Sequence, residues 1–164
     1  MKVGDLQHNR IDEDIRKVHG ICLDPTEIKT HEQISKNAMY KFISHHIQKY
    51  ILMYASKFPF YLNSRSNYFI NQVDILKYFE NGKYTAHVDD SAETNRSVTV
   101  ILNLNDDYEG GDFIFFNPLK KTEIIRREKL KKGSVLFFPS NFLYGHSVET
   151  ITKGTRYSIV SWIA

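Results

Sequence analysis

Val98-Thr99-Val100-Ile101-Leu102-Asn103-Leu104 decides the fold. In an extended chain successive side chains point to opposite faces. One face of this stretch, Val98, Val100, Leu102 and Leu104, is wholly apolar, while the other carries Thr99 and Asn103. That pattern predicts a strand with a core on one side and a polar pocket on the other. Working outward, further strands are expected at Val73 to Phe79, Tyr84 to Val88, Phe113 to Phe116, Thr122 to Arg126, Val135 to Phe138 and Tyr157 to Ile163. Turn signals at Asn81-Gly82, Gly110-Gly111, Lys132-Gly133 and Lys153-Gly154 punctuate them.

Before residue 60 the period changes. Ile34, Ala38 and Phe42, then Met39, Ile43 and Ile47, recur at helical spacing. Asp24-Pro25-Thr26-Glu27 reads as a helix start and Pro59 as its closure, with a shorter helix expected over Ile11, Ile15 and Val18. Residues 1–60 are thus expected to be mostly helical support. Short strands after a helical layer predict an α+β, mainly β chain, a sandwich or jelly roll braced by helices, in a single domain over 1–164.

Composition narrows the classes. The chain has 164 residues, 41% of them hydrophobic and 13% aromatic, enough for one sizeable core and unlike a disordered tail. Lys+Arg 22 against Asp+Glu 19 leaves +3, too mild a surplus for a nucleic-acid binder. Cys22 is the only cysteine, which excludes an internal disulfide and a thiol-held zinc. The N-terminus lacks a signal-peptide core, and no apolar run is long enough to span a bilayer. The expectation is a soluble, cytoplasmic protein. Nothing in the residues selects an oligomeric state.

The chemistry concentrates at His87-Val88-Asp89. Period two puts imidazole and carboxylate on one face, within reach of one ion. With seven histidines and ten aspartates, chance alone gives about 0.4 such pairs, so the pair by itself reads as structural. His146 changes that balance. Two histidines and a carboxylate can occupy one face of an octahedral metal and leave the rest open, the arrangement of non-haem Fe(II) oxygenases. Arg156 and Ser158 follow on one strand face, a guanidinium fork and a hydroxyl matched to a carboxylate. The bland alternative, a surface ion pair for Arg156, is disfavoured because Val160 and Trp162 continue its face inward.

Tyr84-x-x-His87-x-Asp89, Gly110-Gly111, Lys132-Gly133-Ser134-x-Leu136-x-Phe138-Pro139, and His146 with Arg156-x-Ser158 together resemble the Fe(II)/2-oxoglutarate dioxygenases, most closely the prolyl 4-hydroxylase-like group. The resemblance covers residues 68–164. It implies a double-stranded β-helix with helices packed on one side. His87, Asp89 and His146 would be iron ligands, and Arg156, assisted by Ser158, would bind the distal carboxylate of 2-oxoglutarate. Tyr78 resembles a strand tyrosine whose hydroxyl contacts the cosubstrate, and Trp162 an aromatic that packs the pocket's end. Asn103 stands where related hypoxia-type hydroxylases place a tyrosine near the same carboxylate. Tyr84 and Arg96 would lie beside the substrate, on the strand and polar loop flanking the metal motif.

The implied activity couples conversion of 2-oxoglutarate and O2 to succinate and CO2 with hydroxylation of proline in a peptide or protein, with ascorbate among the ligands the resemblance brings. Two other functions compete. One keeps the cofactors and takes a free amino acid, another peptide residue or an alkylated nucleobase; the other is a non-catalytic β-helix that binds a partner. His45 and His46 lack a carboxylate at helical spacing, and His31-Glu32 lacks the second histidine of a zinc-protease helix. Arg126, Arg127, Lys129, Lys131 and Lys132 read either as a rim for acidic partners or as a solvated loop.

Overall fold

The computed structural model describes residues 15–23, 30–64 and 68–164. Its elements are β1 (Arg16–Lys17), β2 (His19–Leu23), α1 (His31–Lys57), α2 (Pro59–Ser64), β3 (Ile70–Tyr78), β4 (Lys83–His87), β5 (Val98–Asn103) and β6 (Glu109–Gly110). There follow β7 (Phe113–Asn117), β8 (Lys120–Glu128), β9 (Val135–Pro139), β10 (His146–Val148), β11 (Ile151–Lys153) and β12 (Arg156–Ile163). Two five-stranded antiparallel sheets, in the orders β2-β3-β12-β5-β9 and β1-β4-β10-β7-β8, face one another, and β6 pairs with β11 beside them. This is a jelly roll braced by helices, as the strand pattern predicts.

Alternation along the strands builds two cores. Val98 and Val100 of β5 join Val73, Ile159 and Ile163 beneath Ile47 and Ile51 of α1. The opposite faces of the same strands supply Leu76, Tyr78 and Ile101 to a cluster between the sheets, where Phe113, Phe115 and Phe138 meet them. The polar residues expected on that inner face are there: Thr99, Asn103, Arg156 and Ser158 are buried. Register fixes their neighbours, with Arg156 opposite Tyr78 and Ser158 between Leu76 and Asn103.

α1 starts on a capping box. The Thr30 hydroxyl accepts from the Gln33 amide at 3.2 Å, and the Gln33 side chain accepts from the Thr30 amide at 2.9 Å. The helix start expected at Asp24 to Glu27 lies outside the described residues. Pro59 does stop α1 and opens α2, its missing N–H costing nothing in a first turn. Tyr40 ties the helix to the sheet by donating to the Ile70 carbonyl at 2.6 Å.

Two expectations need correction. The helix expected over Ile11, Ile15 and Val18 is not formed where the chain is described: residues 16–17 and 19–23 are strands, so the N-terminal third is not wholly helical. Val18, Gly20 and Leu23 are buried there, and β2 takes the free edge of β3, so pairing outweighs a weak helical period. The buried stripe of α1 also differs. Ile34, Ala38, Met39 and Phe42 are exposed, and the stripe that meets the sheet runs through Tyr40, Ser44, Ile47, Ile51 and Ala55. Asn81-Gly82 is a turn, with Asn81 at φ 64, but it carries the chain from one sheet to the other instead of closing a hairpin. Among the described residues no helix is long and apolar enough to cross a membrane.

The α1 seam is the support under β5 and β12. Ile51→Ala, at a side chain only 1% exposed, should lower unfolding free energy by about 2–4 kcal/mol in a denaturant titration.

Candidate metal centre

His87 ends β4, and the extended chain carries Asp89 two residues further on the same side, while Val88 between them points outward. His146 opens β10 directly across the sheet from His87. One ligand atom from each of His87, Asp89 and His146 lies within 4.8 Å of the others. The His87 Nε2 is 3.5 Å from Asp89 Oδ1, and the His146 Nε2 is 3.5 Å from Asp89 Oδ2. The expected triad is brought together.

The backbone fixes both tautomers. His87 Nδ1 is 2.8 Å from the Thr85 carbonyl, and His146 Nδ1 is 2.9 Å from the Tyr144 carbonyl. A carbonyl only accepts, so each Nδ1 carries the proton and each neutral ring presents a bare Nε2. Tyr84 stacks on His87 with centroids 3.6 Å apart, and Phe113 stacks on His146 at 5.1 Å. Asp89 is braced in turn: Thr99 donates to its Oδ2 at 2.6 Å, and Ser140 meets the Thr99 hydroxyl at 2.9 Å. Burial alone would raise the Asp89 pKa. The His87 hydrogen bond, the two imidazoles and Thr99 outweigh it and hold the carboxyl well below the usual range.

Thr99 was legible as a polar residue on an apolar strand. Ser140 gave no sequence signal. Neither did the carbonyl hooks, since every residue has a carbonyl. Arg16, on β1, also joins the cavity wall with Tyr78, Tyr84, His87, Asp89 and Trp162.

Beyond the triad, Arg156 lies 1% exposed. Its Nε donates to Asn103 Oδ1 at 3.1 Å, and its guanidinium sits 5.3 Å from the Tyr78 ring centre. Asn103 is itself locked, donating to the carbonyls of Asn105 at 2.6 Å and Leu130 at 2.9 Å. Asn103 thus positions the guanidinium. Arg156 Nη2 and Ser158 Oγ are buried with no hydrogen-bond partner. Burial pushes the Tyr78 hydroxyl up, so it remains a proton donor at neutral pH. Trp162 lines the same cavity, and its indole N–H is likewise unpartnered. Arg96 lies over the Trp162 ring at 3.7 Å and donates to the Asp89 carbonyl at 3.2 Å.

Other candidates fall away from this cluster. His45 and His46 lie exposed on α1, where His46 meets the Phe42 carbonyl. Of the basic segment, Arg126 pairs with Glu128, and Arg127 with Asp112 and Glu149.

Known proteins fit this geometry. Residues 73–164 match the family model described as the 2OG-Fe(II) oxygenase superfamily. A PKHD-type hydroxylase of Rippkaea orientalis is 37% identical over 93 residues, 52% of this chain and 39% of its own length. The chain thus spans about two-fifths of that relative. A Pseudomonas putida prolyl-4-hydroxylase structure superposes with a TM-score of 0.65 at 17% identity, over 94% of this chain and 75% of that one. A Trichoplax adhaerens prolyl hydroxylase, solved with a hypoxia inducible factor peptide fragment, gives 0.66 at 19% identity, covering 96% of this chain and 67% of its own. These two likenesses concern the fold.

The donor set suits Fe(II). Two imidazoles and one carboxylate leave room for other ligands, and the orphaned donors of Arg156 and Ser158 suit the far carboxylate of 2-oxoglutarate.

Two measurements probe the centre. Thr99→Val should weaken metal binding about 10- to 100-fold in a calorimetric titration, because Asp89 loses its orienting donor. Burial, aided by His87 and opposed by Asp89, pushes His146 down to about 4 in the metal-free chain. Between that value and about 6.5 the unfolded chain binds more protons than the folded one, so stability rises with pH across this window. Metal-free protein should melt higher at pH 7.5 than at pH 5, and His146→Gln should flatten that difference.

By its matched motif and jelly roll, the chain belongs to the 2OG-Fe(II) oxygenase superfamily, whose cofactors are Fe(II) and 2-oxoglutarate.

Proposed function

We propose that the chain hydroxylates proline in a peptide or protein, using Fe(II), 2-oxoglutarate and O2 and releasing succinate and CO2. The observation that carries the oxygenase half is the buried, unpartnered pair of Arg156 Nη2 and Ser158 Oγ on the strand that also lines the metal cavity. A buried donor without an acceptor is costly, and an anionic ligand relieves it. The prolyl half draws support from the prolyl hydroxylases of the same fold.

When bound, iron and 2-oxoglutarate supply the oxidising chemistry. The chain's residues supply placement. His87, Asp89 and His146 would hold the metal, with ring orientation set by the Thr85 and Tyr144 carbonyls. Arg156 would pair with the distal carboxylate, aided by Ser158, and Asn103 would keep its guanidinium flat against that ligand. Tyr78 would donate its hydroxyl from the cavity wall. Trp162 would close the pocket's end, with Arg96 above it. Tyr84 and Arg96 would face the substrate.

A groove of about 320 Å³ beside His87, lined by Val88, Phe116, Lys121 and Phe142, has the width and apolar lining for a prolyl segment. Proline needs little beyond such apolar surface, since it has no N–H to satisfy.

Succinate formation with Fe(II), O2 and proline-containing peptides tests the reading. Peptide-stimulated succinate with a product 16 Da heavier (one oxygen atom) supports it, and His87→Ala should abolish both. Arg156→Gln should raise the KM for 2-oxoglutarate about tenfold or more, through loss of a charge-assisted pair. Succinate formed equally with and without peptide would overturn the choice of substrate.

A further inference from the structure

We propose that Arg16 is a substrate-selecting residue: it binds a single carboxylate on the molecule to be hydroxylated. The inference rests on the oxygenase reading and goes beyond it, because Arg16 lies outside the matched residues 73–164 and carries none of the motifs.

β1 is two residues long, and its pairing with β4 sets Arg16 opposite Tyr84. The guanidinium lies 4.8 Å from the centre of the Tyr84 ring, which stacks in turn on His87. Arg16 Nε is buried with no hydrogen-bond partner, and the side chain lines the same cavity as His87, Asp89 and Trp162. No described carboxylate forms an ion pair with it. Arg96, the second cation here, is already engaged with the Asp89 carbonyl and the Trp162 ring. Asp74, the other buried acid on the inner face of β3, takes its hydrogen bond from Gln72 at 2.7 Å.

Charge balance gives the sign of the missing group. With a divalent metal and doubly charged 2-oxoglutarate in place, the metal, Arg16, Arg96 and Arg156 bring five positive charges. Asp74, Asp89 and the cosubstrate bring four negative ones. A cavity of low dielectric does not tolerate that surplus, and a monoanionic substrate removes it. A guanidinium with an open Nε edge binds a carboxylate through two parallel hydrogen bonds. The carboxylate can come from a free amino acid or from an acidic residue beside the target.

The only tryptophan, Trp162, lies in this cavity, so its fluorescence reports occupancy without turnover. Full-length protein would be loaded with zinc, which cannot drive the oxidation, and saturated with 2-oxoglutarate. It would then be titrated with L-proline against L-prolinamide, and with a blocked alanine-proline-glutamate tripeptide against its glutamine counterpart. The wild type should bind one or both carboxylates about tenfold or more tighter than the neutral partner, and which pair discriminates identifies the source. Arg16→Gln should remove that preference and Arg16→Lys restore part of it, with zinc affinity unchanged. Equal binding within both pairs, or preference kept in Arg16→Gln, overturns the proposal. So does an Arg16→Gln variant that loses zinc and all probes alike, because Arg16 then acts only through the Tyr84 stack. If wild-type protein takes up neither zinc nor 2-oxoglutarate, the oxygenase reading fails instead, and the same titrations on metal-free protein still decide the Arg16 preference.

Discussion

A buried guanidinium that the fold itself does not neutralise is the constraint around which this protein is organised. Arg156 sits between two sheets with one side-chain partner, Asn103. A lone cation in such surroundings is unfavourable by several kcal/mol after relaxation. The surrounding structure must therefore be strong enough to hold it. β12 is central, paired along its length with β3 and β5, and α1 covers the far side of that sheet. Asn103 is pinned by two backbone carbonyls before it meets Arg156. Stability elsewhere supports an arrangement that is satisfied only when an anion arrives.

The metal side follows the same logic with opposite charge. Asp89 is a buried acid kept ionised by two imidazoles and a threonine hydroxyl. Each imidazole is oriented by the carbonyl two residues before it, so local backbone geometry settles which nitrogen is free. Ligand positions are preset by strand ends, and long side chains need not search for them. This preorganisation suits a site where several ligands must share one ion.

Much of this was legible in the residues. Strict alternation in Val98 to Leu104 assigned Thr99 and Asn103 to a polar inner face, and both are buried there. His87, Asp89, His146, Arg156 and Ser158 followed from period two and motif order. The rest depended on tertiary placement. The apolar residues Ile34 and Phe42 fit a helical period as well as Ile47 and Ile51 do, and only the sheet's position decides which are covered. Residues 16–23 became strands because β3 and β4 each offered an unpaired edge. Ser140 and Arg16 are distant in sequence from the groups they serve, so no spacing could reveal them.

The sheet carrying Arg156 has one face under α1 and the other over the cavity, and neighbouring residues belong to different faces. Along β5 and β12 the chain alternates between a structural and a chemical duty at every step. Odd and even positions are therefore under separate selection. The outer set, such as Val100 and Ile159, can exchange among aliphatic residues of similar volume as the helix drifts, while the inner set holds its polar identities. Such a division by parity lets a lineage retune its stability without altering the substrate chemistry, and the two kinds of change can accumulate independently on the same strand.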